Sequence, residues 1–205
     1  MKILKTMVMH GTLAFATLVA SSSFAEIVFD TLTKGYQGVT FNSVEFGNAI
    51  SLGGTSRTVT QLRAWVGASG NSTFTFRLYN LDGPSSAPGS LIWESPVQNF
   101  VYTPPVPTFP DDDIYIVPVP NVVVPNSLAW TIKTQAGPFI GWVRTGSPTA
   151  GSYIETWQYL AASSQWAPYN GAHFGAQITA VPEPALLALV SVVSTIIMLQ
   201  RSRRG

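Results

Sequence analysis

The middle of this 205-residue sequence predicts an all-β fold, an antiparallel two-sheet sandwich of jelly-roll type, set between an N-terminal signal helix and a single C-terminal transmembrane helix. Three observations predict it. Between Glu26 and Ala180, short stretches alternate apolar and polar residues with period two, and no window has the 3.6-residue period of an amphipathic helix. These stretches, about ten in roughly 155 residues, are rich in aromatic and β-branched side chains and are punctuated by Gly, Pro, Asn and Ser. The chain is also 46% hydrophobic and only 10% charged, against roughly 25% charged in an ordinary soluble domain, and much of that imbalance comes from its two ends.

Residues 1–25 predict a secretory signal peptide. Lys2 and Lys5 precede an apolar stretch from Met7 to Ala20, and Ser23-Phe24-Ala25 places small residues at the −3 and −1 positions of a cleavage site after Ala25. The apolar run is short for a membrane span. The body, residues 26–180, then reads as strands. In Thr73 to Asn80, Phe74, Phe76 and Leu78 fall on one face and Thr73, Thr75, Arg77 and Tyr79 on the other. Leu128, Trp130 and Ile132 repeat the pattern, as do Phe174, Ala176, Ile178 and Ala180, which leave His173 on the exposed side. Weaker alternation predicts strands at Ile27 to Leu32, Val39 to Phe46, Thr58 to Val66, Leu91 to Glu94, Ile114 to Val119, Phe139 to Arg144 and Tyr153 to Gln158.

Turns have identifiable chemistry at Asp82-Gly83-Pro84 and Ala87-Pro88-Gly89. Ten of the fifteen prolines lie between Pro84 and Pro125. Proline cannot donate to a β-ladder, so this region is expected at a sheet edge or in an exposed loop. No internal repeat is visible, and a body of this size buries enough apolar surface to fold without disulfides.

The segment 181–205 reads as an anchor. Ala185 to Leu199 contains no charge and is apolar on every helical face, and it is followed by Arg201, Arg203 and Arg204. A helix over 185–199 would reach about 22 Å, and snorkelling arginines extend its span toward the ~30 Å hydrocarbon core. Positive charge stays cytoplasmic, so the body would lie across the membrane from the arginines, the orientation a signal peptide also demands.

Val181-Pro182-Glu183-Pro184, the apolar segment and the arginine end together resemble a PEP-CTERM sorting signal of Gram-negative bacteria. Ser191, Ser194 and Thr195 stand where family members often have glycines. The resemblance implies recognition through Pro182, Glu183 and Pro184, an exosortase-type membrane protease as partner beside the secretion machinery, and removal of the tail on sorting. The body more loosely resembles exported β-sandwich domains of the choice-of-anchor kind, through Gly47-Asn48-Ala49-Ile50-Ser51-Leu52-Gly53-Gly54-Thr55-Ser56-Arg57-Thr58-Val59, Arg77-Leu78-Tyr79, Ala87-Pro88-Gly89 and Trp166. That family has no settled activity and implies a fold alone. The expected location is therefore exported: membrane-anchored in transit, then envelope, surface or extracellular matrix.

Composition excludes much chemistry. There is no cysteine, which removes thiolate metal sites, disulfides and cysteine nucleophiles, and His10 and His173 are the two histidines. The net charge of +1 is terminal in origin: residues 26–180 hold six Lys or Arg against nine Asp or Glu, a balance of −3. Scattered cations on a mildly acidic body argue against binding nucleic acid.

The candidate sites are few. Asp111, Asp112 and Asp113 can supply oxygen ligands to Ca²⁺, but adjacent residues in an extended segment point to opposite sides, and a solvated acidic loop is the competing reading. No other cofactor is expected. Trp142, Trp157 and Trp166, with Tyr153, Tyr159 and Tyr169, concentrate rings late in the body. Such rings either fill a core or stack on sugars. Glu45, Glu94 and Glu155 have no spacing that pairs them as glycosidase carboxylates, and His173 has no serine motif beside it. The Asn71-Ser72-Thr73 triplet reads as a chance glycosylation match. The expected protein is non-enzymatic and exported, with polysaccharide as the expected ligand. The alternatives are a carbohydrate-active enzyme and a purely structural matrix component.

Overall fold

The computed structural model describes residues 24–32, 38–40, 44–68, 70–102, 114–138, 140–143, 146–169 and 173–183. Residues Ala25–Val181 form one compact unit. Its strands are β1 (Glu26–Asp30), β2 (Gly38–Thr40), β3 (Glu45–Ser51), β4 (Thr58–Trp65), β5 (Gly67–Ala68), β6 (Ser72–Asn80) and β7 (Leu91–Glu94), then β8 (Gln98–Phe100), β9 (Ile114–Val123), β10 (Ser127–Ala136), β11 (Ile140–Val143), β12 (Ser152–Leu160), β13 (Gln165–Pro168) and β14 (Ala176–Val181). The fold is all-β, and every strand pairing is antiparallel.

Two sheets share the core. The smaller has the order β1-β14-β4-β9, and the larger has the order β13-β12-β3-β10-β6-β7 with β8 also paired to β6. A third, short sheet joins β2, β11 and β5. Phe29, Leu62, Val117 and Ile178 from the smaller sheet meet Phe46, Ile50, Phe76, Trp130 and Ile132 from the larger in one hydrophobic cluster. Edge-to-face rings stitch the layers: Phe29 on Tyr153 at 5.6 Å, Phe46 on Phe174 at 5.8 Å and Phe74 on Tyr115 at 5.0 Å. Each such pair adds about 0.5–1.5 kcal/mol beyond its area.

Period-two alternation explains the central strands. Phe74, Phe76 and Leu78 of β6 and Leu128, Trp130 and Ile132 of β10 are all buried, as the sequence predicts, and so are Phe174, Ala176, Ile178 and Ala180. β9 runs four residues past the predicted Val119, through Pro118 and Pro120. It can do so because it is an edge of the smaller sheet, with both prolines exposed and Val117 and Val119 turned into the core.

Other expectations need correction. The strand expected over Val39 to Phe46 is two elements, β2 and β3, and β3 continues through Gly47, Asn48 and Ala49 to Ser51. These residues have low strand propensity, but seven consecutive register pairs with β10 hold them extended. Asn48 is fully buried, and its amide works as a cross-link: Nδ2 donates to Thr156 Oγ1 at 2.8 Å, and Oδ1 accepts the Phe174 N–H at 2.9 Å. Thr31 plays a similar part after β1, its hydroxyl accepting the Ala176 N–H at 2.9 Å. His173 is half-buried rather than exposed, because its ring stacks on Tyr153 at 4.0 Å. β13 was not expected; it folds back on β12 through a turn in which Ser164 has a φ of +52°.

Between β6 and β7 the chain reverses through a single 3₁₀ turn at Pro84–Ser86, with Ser85 and Ser86 in left-handed backbone at φ +56° and +61°. Asp82 ties the reversal shut, accepting the Ser90 amide at 2.7 Å and its hydroxyl at 2.6 Å.

Ala25 is exposed and immediately precedes β1, while Pro182 and Glu183 are exposed after β14. No helix among the described residues is long and apolar enough to cross a membrane. The predicted signal helix within residues 1–23, Pro184, the apolar segment 185–199 and Arg201, Arg203 and Arg204 all lie outside the described residues.

A candidate binding face on the larger sheet

The outward face of the larger sheet is built from the residues that alternate with its core. Register places Trp157, Gly47, Thr131, Arg77 and Glu94 in one row across β12, β3, β10, β6 and β7. The next row along the strands holds Tyr159, Glu45, Lys133 and Thr75. β13 adds Trp166 opposite Tyr159.

Charges and hydroxyls on this face form one network centred on Arg77. Its Nη1 donates to Glu45 Oε2 at 3.1 Å and to the Tyr79 hydroxyl at 3.0 Å, while Nη2 donates to both oxygens of Glu94 at 2.9 and 3.0 Å. Glu45 Oε1 accepts from Tyr79 at 2.9 Å and from Thr131 at 2.7 Å. Glu94 Oε1 also accepts from Thr75 at 2.8 Å. Glu45 is only 4% exposed, so its charge depends on these donors.

The electrostatics follow from that geometry. Burial works against the charge of Arg77, but the Glu45 carboxylate, Glu94 and Tyr79 outweigh it and raise the guanidinium above its ordinary value. Burial, reinforced by the Glu45 charge, pushes the Tyr79 hydroxyl well up, so it stays a donor. Burial also pushes the Glu94 carboxyl upward, but hydrogen bonds from Thr75 and Arg77 and the charges of Arg77 and Lys133 win and hold it below its usual value. Elsewhere Ser56 lowers Glu26, and Ser90 lowers Asp82. Carboxylates depressed in the folded state stabilise it above their unfolded pKa, and the contribution disappears as pH falls through the folded value. The melting temperature is therefore expected to drop as pH is lowered from about 5 to about 3. Glu94→Gln should flatten part of that slope in a thermal-unfolding series, and an unchanged slope would remove Glu94 from the account.

Rings flank the network. Trp166 lies edge-to-face on Tyr79 at 5.8 Å and on Tyr159 at 5.4 Å, half-buried like Tyr159. Trp157 belongs to the same face but is 6% exposed, packed with Ala49 and with Ala87 from the β6–β7 reversal. Trp157 and Trp166 thus share a face, and Trp166 is the more exposed of these two. Trp142 sits in β11, opposite Val39 in the short sheet.

Sequence reasoning does not single out Arg77 or Tyr79 as site residues, and it names Glu45 and Glu94 only as carboxylates that no spacing pairs. The alternation in β6 does put Arg77 and Tyr79 on the outward face, but Glu45 and Glu94 lie 32 and 17 residues from Arg77, and no local pattern joins them. Glu155, the third carboxylate considered, accepts its neighbour Thr156's amide at 3.0 Å instead. Among the described residues no group of three or more His, Cys, Asp or Glu could hold a metal ion, and Asp111, Asp112 and Asp113 lie outside those residues. No family model, no curated protein and no solved structure matches the chain.

Proposed function

We propose that this chain is an exported, non-enzymatic protein of the cell envelope or extracellular matrix, a jelly-roll sandwich that binds exopolysaccharide on the outward face of its larger sheet. The observation that carries the reading is the pair of half-buried rings Trp166 and Tyr159, with Trp166 resting on the buried Tyr79 ring, whose hydroxyl bonds to Arg77. Rings stack on the apolar faces of sugars, and a few fixed polar groups orient the hydroxyls. The strand order supports the jelly-roll assignment. Taking the eleven strands of the two sheets in chain order, six of the ten successive connections pass from one sheet to the other.

Binding is favoured over hydrolysis by the position of Arg77. A glycosidase needs one protonated and one ionised carboxyl facing each other across an open gap of about 5–10 Å. Here one guanidinium bonds to both Glu45 and Glu94, and Glu94 is held ionised. Delivery rests on the terminal resemblance: a signal peptide ending at Ala25, and a PEP-CTERM segment from Val181 whose apolar helix anchors the chain until an exosortase removes it.

A glycan array probed with the exported chain tests the ligand. Retention of polysaccharide, weakened about tenfold by Trp166→Ala, is expected; no retention of any glycan overturns the binding reading and leaves a structural component. The C-terminal mass, in cells with and without the exosortase, tests delivery. A Arg203-Arg204-Gly205 end intact in both would sink the sorting assignment and leave a plain membrane anchor.

A further inference from the structure

We infer that the outward face of the smaller sheet pairs with the same face of a second copy of this chain, about a two-fold axis lying along β14, so that Asp30 of each copy meets Arg63 of the other. The inference is independent of the polysaccharide reading. This face is open: Asp30, Gln61, Arg63, Gln177 and Thr179 are half-buried, and Ile27, Ile116 and Pro118 are exposed. Register aligns five residues in one row across the strands, in the order Ala150, Asp30, Gln177, Arg63 and Ile116. Paired residues of neighbouring strands share a face, and Gln177 alternates with the buried Ala176 and Ile178.

The row is complementary to itself. Gln177 is its centre, an acid and a base lie one strand to either side, and an apolar residue closes each end. A two-fold axis along β14 exchanges the halves, so each acid faces a base, each Ile116 faces an Ala150, and the two Gln177 amides face each other as donor and acceptor. An axis across the strands would instead set Asp30 on Asp30 and Arg63 on Arg63, so charge selects the first arrangement. Neither charge is neutralised within the chain. Asp30 accepts the Leu32 amide at 3.0 Å and the Thr149 hydroxyl at 3.1 Å, and Arg63 donates from Nη1 to Gln177 Oε1 at 3.0 Å. Among the described residues neither enters a salt bridge, and Arg63 Nε is buried without an acceptor. In the pair, both copies of β14 run in the same direction, so both Val181 ends leave on one side, and the larger sheet's outward face stays free on each copy. Two open rows across four strands cover less than the roughly 800 Å² per partner of a standard interface, so the expected dimer is weak, with a Kd of about 10–100 μM.

Sedimentation equilibrium of the exported chain from about 1 to about 500 μM tests the pairing. A monomer–dimer equilibrium is expected, and a chain that stays monomeric overturns the inference. Asp30→Arg or Arg63→Asp alone sets like charges face to face and should raise Kd at least about tenfold, while the two together should restore it to within about threefold. Single variants that leave Kd unchanged, or a double variant as weak as the singles, would overturn it too. Thermal melting shows whether each variant folds, and a thiol placement that alters neither charge covers a reversal that does not. The chain has no cysteine. Thr179→Cys puts one thiol on the axis, where facing sheets stand about 10 Å apart and a short bis-maleimide reaches both copies. The bond that Thr179 accepts from the Thr60 hydroxyl uses its backbone carbonyl, so the variant keeps it. Ile116→Cys puts the thiol two strands off the axis, about 20 Å from its equivalent. Cross-linked dimer from Thr179→Cys and none from Ile116→Cys is expected, and any other pattern overturns the arrangement.

Discussion

Replacing Arg77 with Met is expected to destabilise the folded domain by about 3 kcal/mol, measured as a shift in the midpoint of urea unfolding at constant slope. The size follows from what the substitution leaves behind. Glu45 would keep a carboxylate at 4% exposure with only the Tyr79 and Thr131 hydroxyls as donors, and Glu94 would lose a two-point bond. Removing one partner of a buried pair costs more than the pair contributes, because the remaining charge is uncompensated. Adding Glu45→Gln to Arg77→Met should therefore recover part of the loss. Arg77→Lys should fall in between, since an ammonium keeps the charge but cannot bond both carboxylates in the planar fork geometry of a guanidinium. A loss under about 1 kcal/mol for Arg77→Met would mean that the network behaves as a screened surface pair.

Trp130→Ala is expected to cost about 3–5 kcal/mol, the other large effect in this molecule. The ring is fully buried at the centre of the larger sheet, opposite Asn48 on one side and Leu78 on the other, in the cluster that joins both sheets. Truncation removes apolar contact with both layers and leaves a cavity that paired strands on either side cannot collapse. Trp166→Ala on the outward face should cost less than half as much, because that ring is half-buried and packs on the small cluster of Ala49, Ala87 and Trp157 and on Tyr79 and Tyr159 rather than in the main core. Equal losses for the two variants would contradict the division of rings between core and face. The pair of measurements also separates a binding defect in Trp166→Ala from unfolding.

The two tryptophans show how far alternation reaches. Trp130 sits between Leu128 and Ile132 in a clean period-two stretch, and its burial is legible from that pattern alone. Trp166 lies in a four-residue strand ending in proline, too short for any period, and its place beside Tyr79 depends on the β12–β13 hairpin. β3 was half missed for a related reason. Gly47, Asn48 and Ala49 do not favour strand locally, yet they occupy a central strand with partners on both edges. Gly47 is suited to that position in a way no propensity scale records: a Cβ there would collide with the Trp130 carbonyl.

Sidedness was thus written into the chain: Arg77 and Tyr79 had to face away from Phe76 and Leu78, and Pro118 and Pro120 had to lie on an edge. Neighbourhood was not. Which strand lies beside β6, and so whether Glu45, Glu94 or Glu155 meets Arg77, depends on the β3-β10-β6-β7 order and on a register in which a one-residue slip would turn every side chain to the other face. Alternation is a property of a few consecutive residues, whereas order and register come from packing two whole sheets on one core. The faces could therefore be read from the sequence, but the site on one of them could be seen only once the strands were assembled.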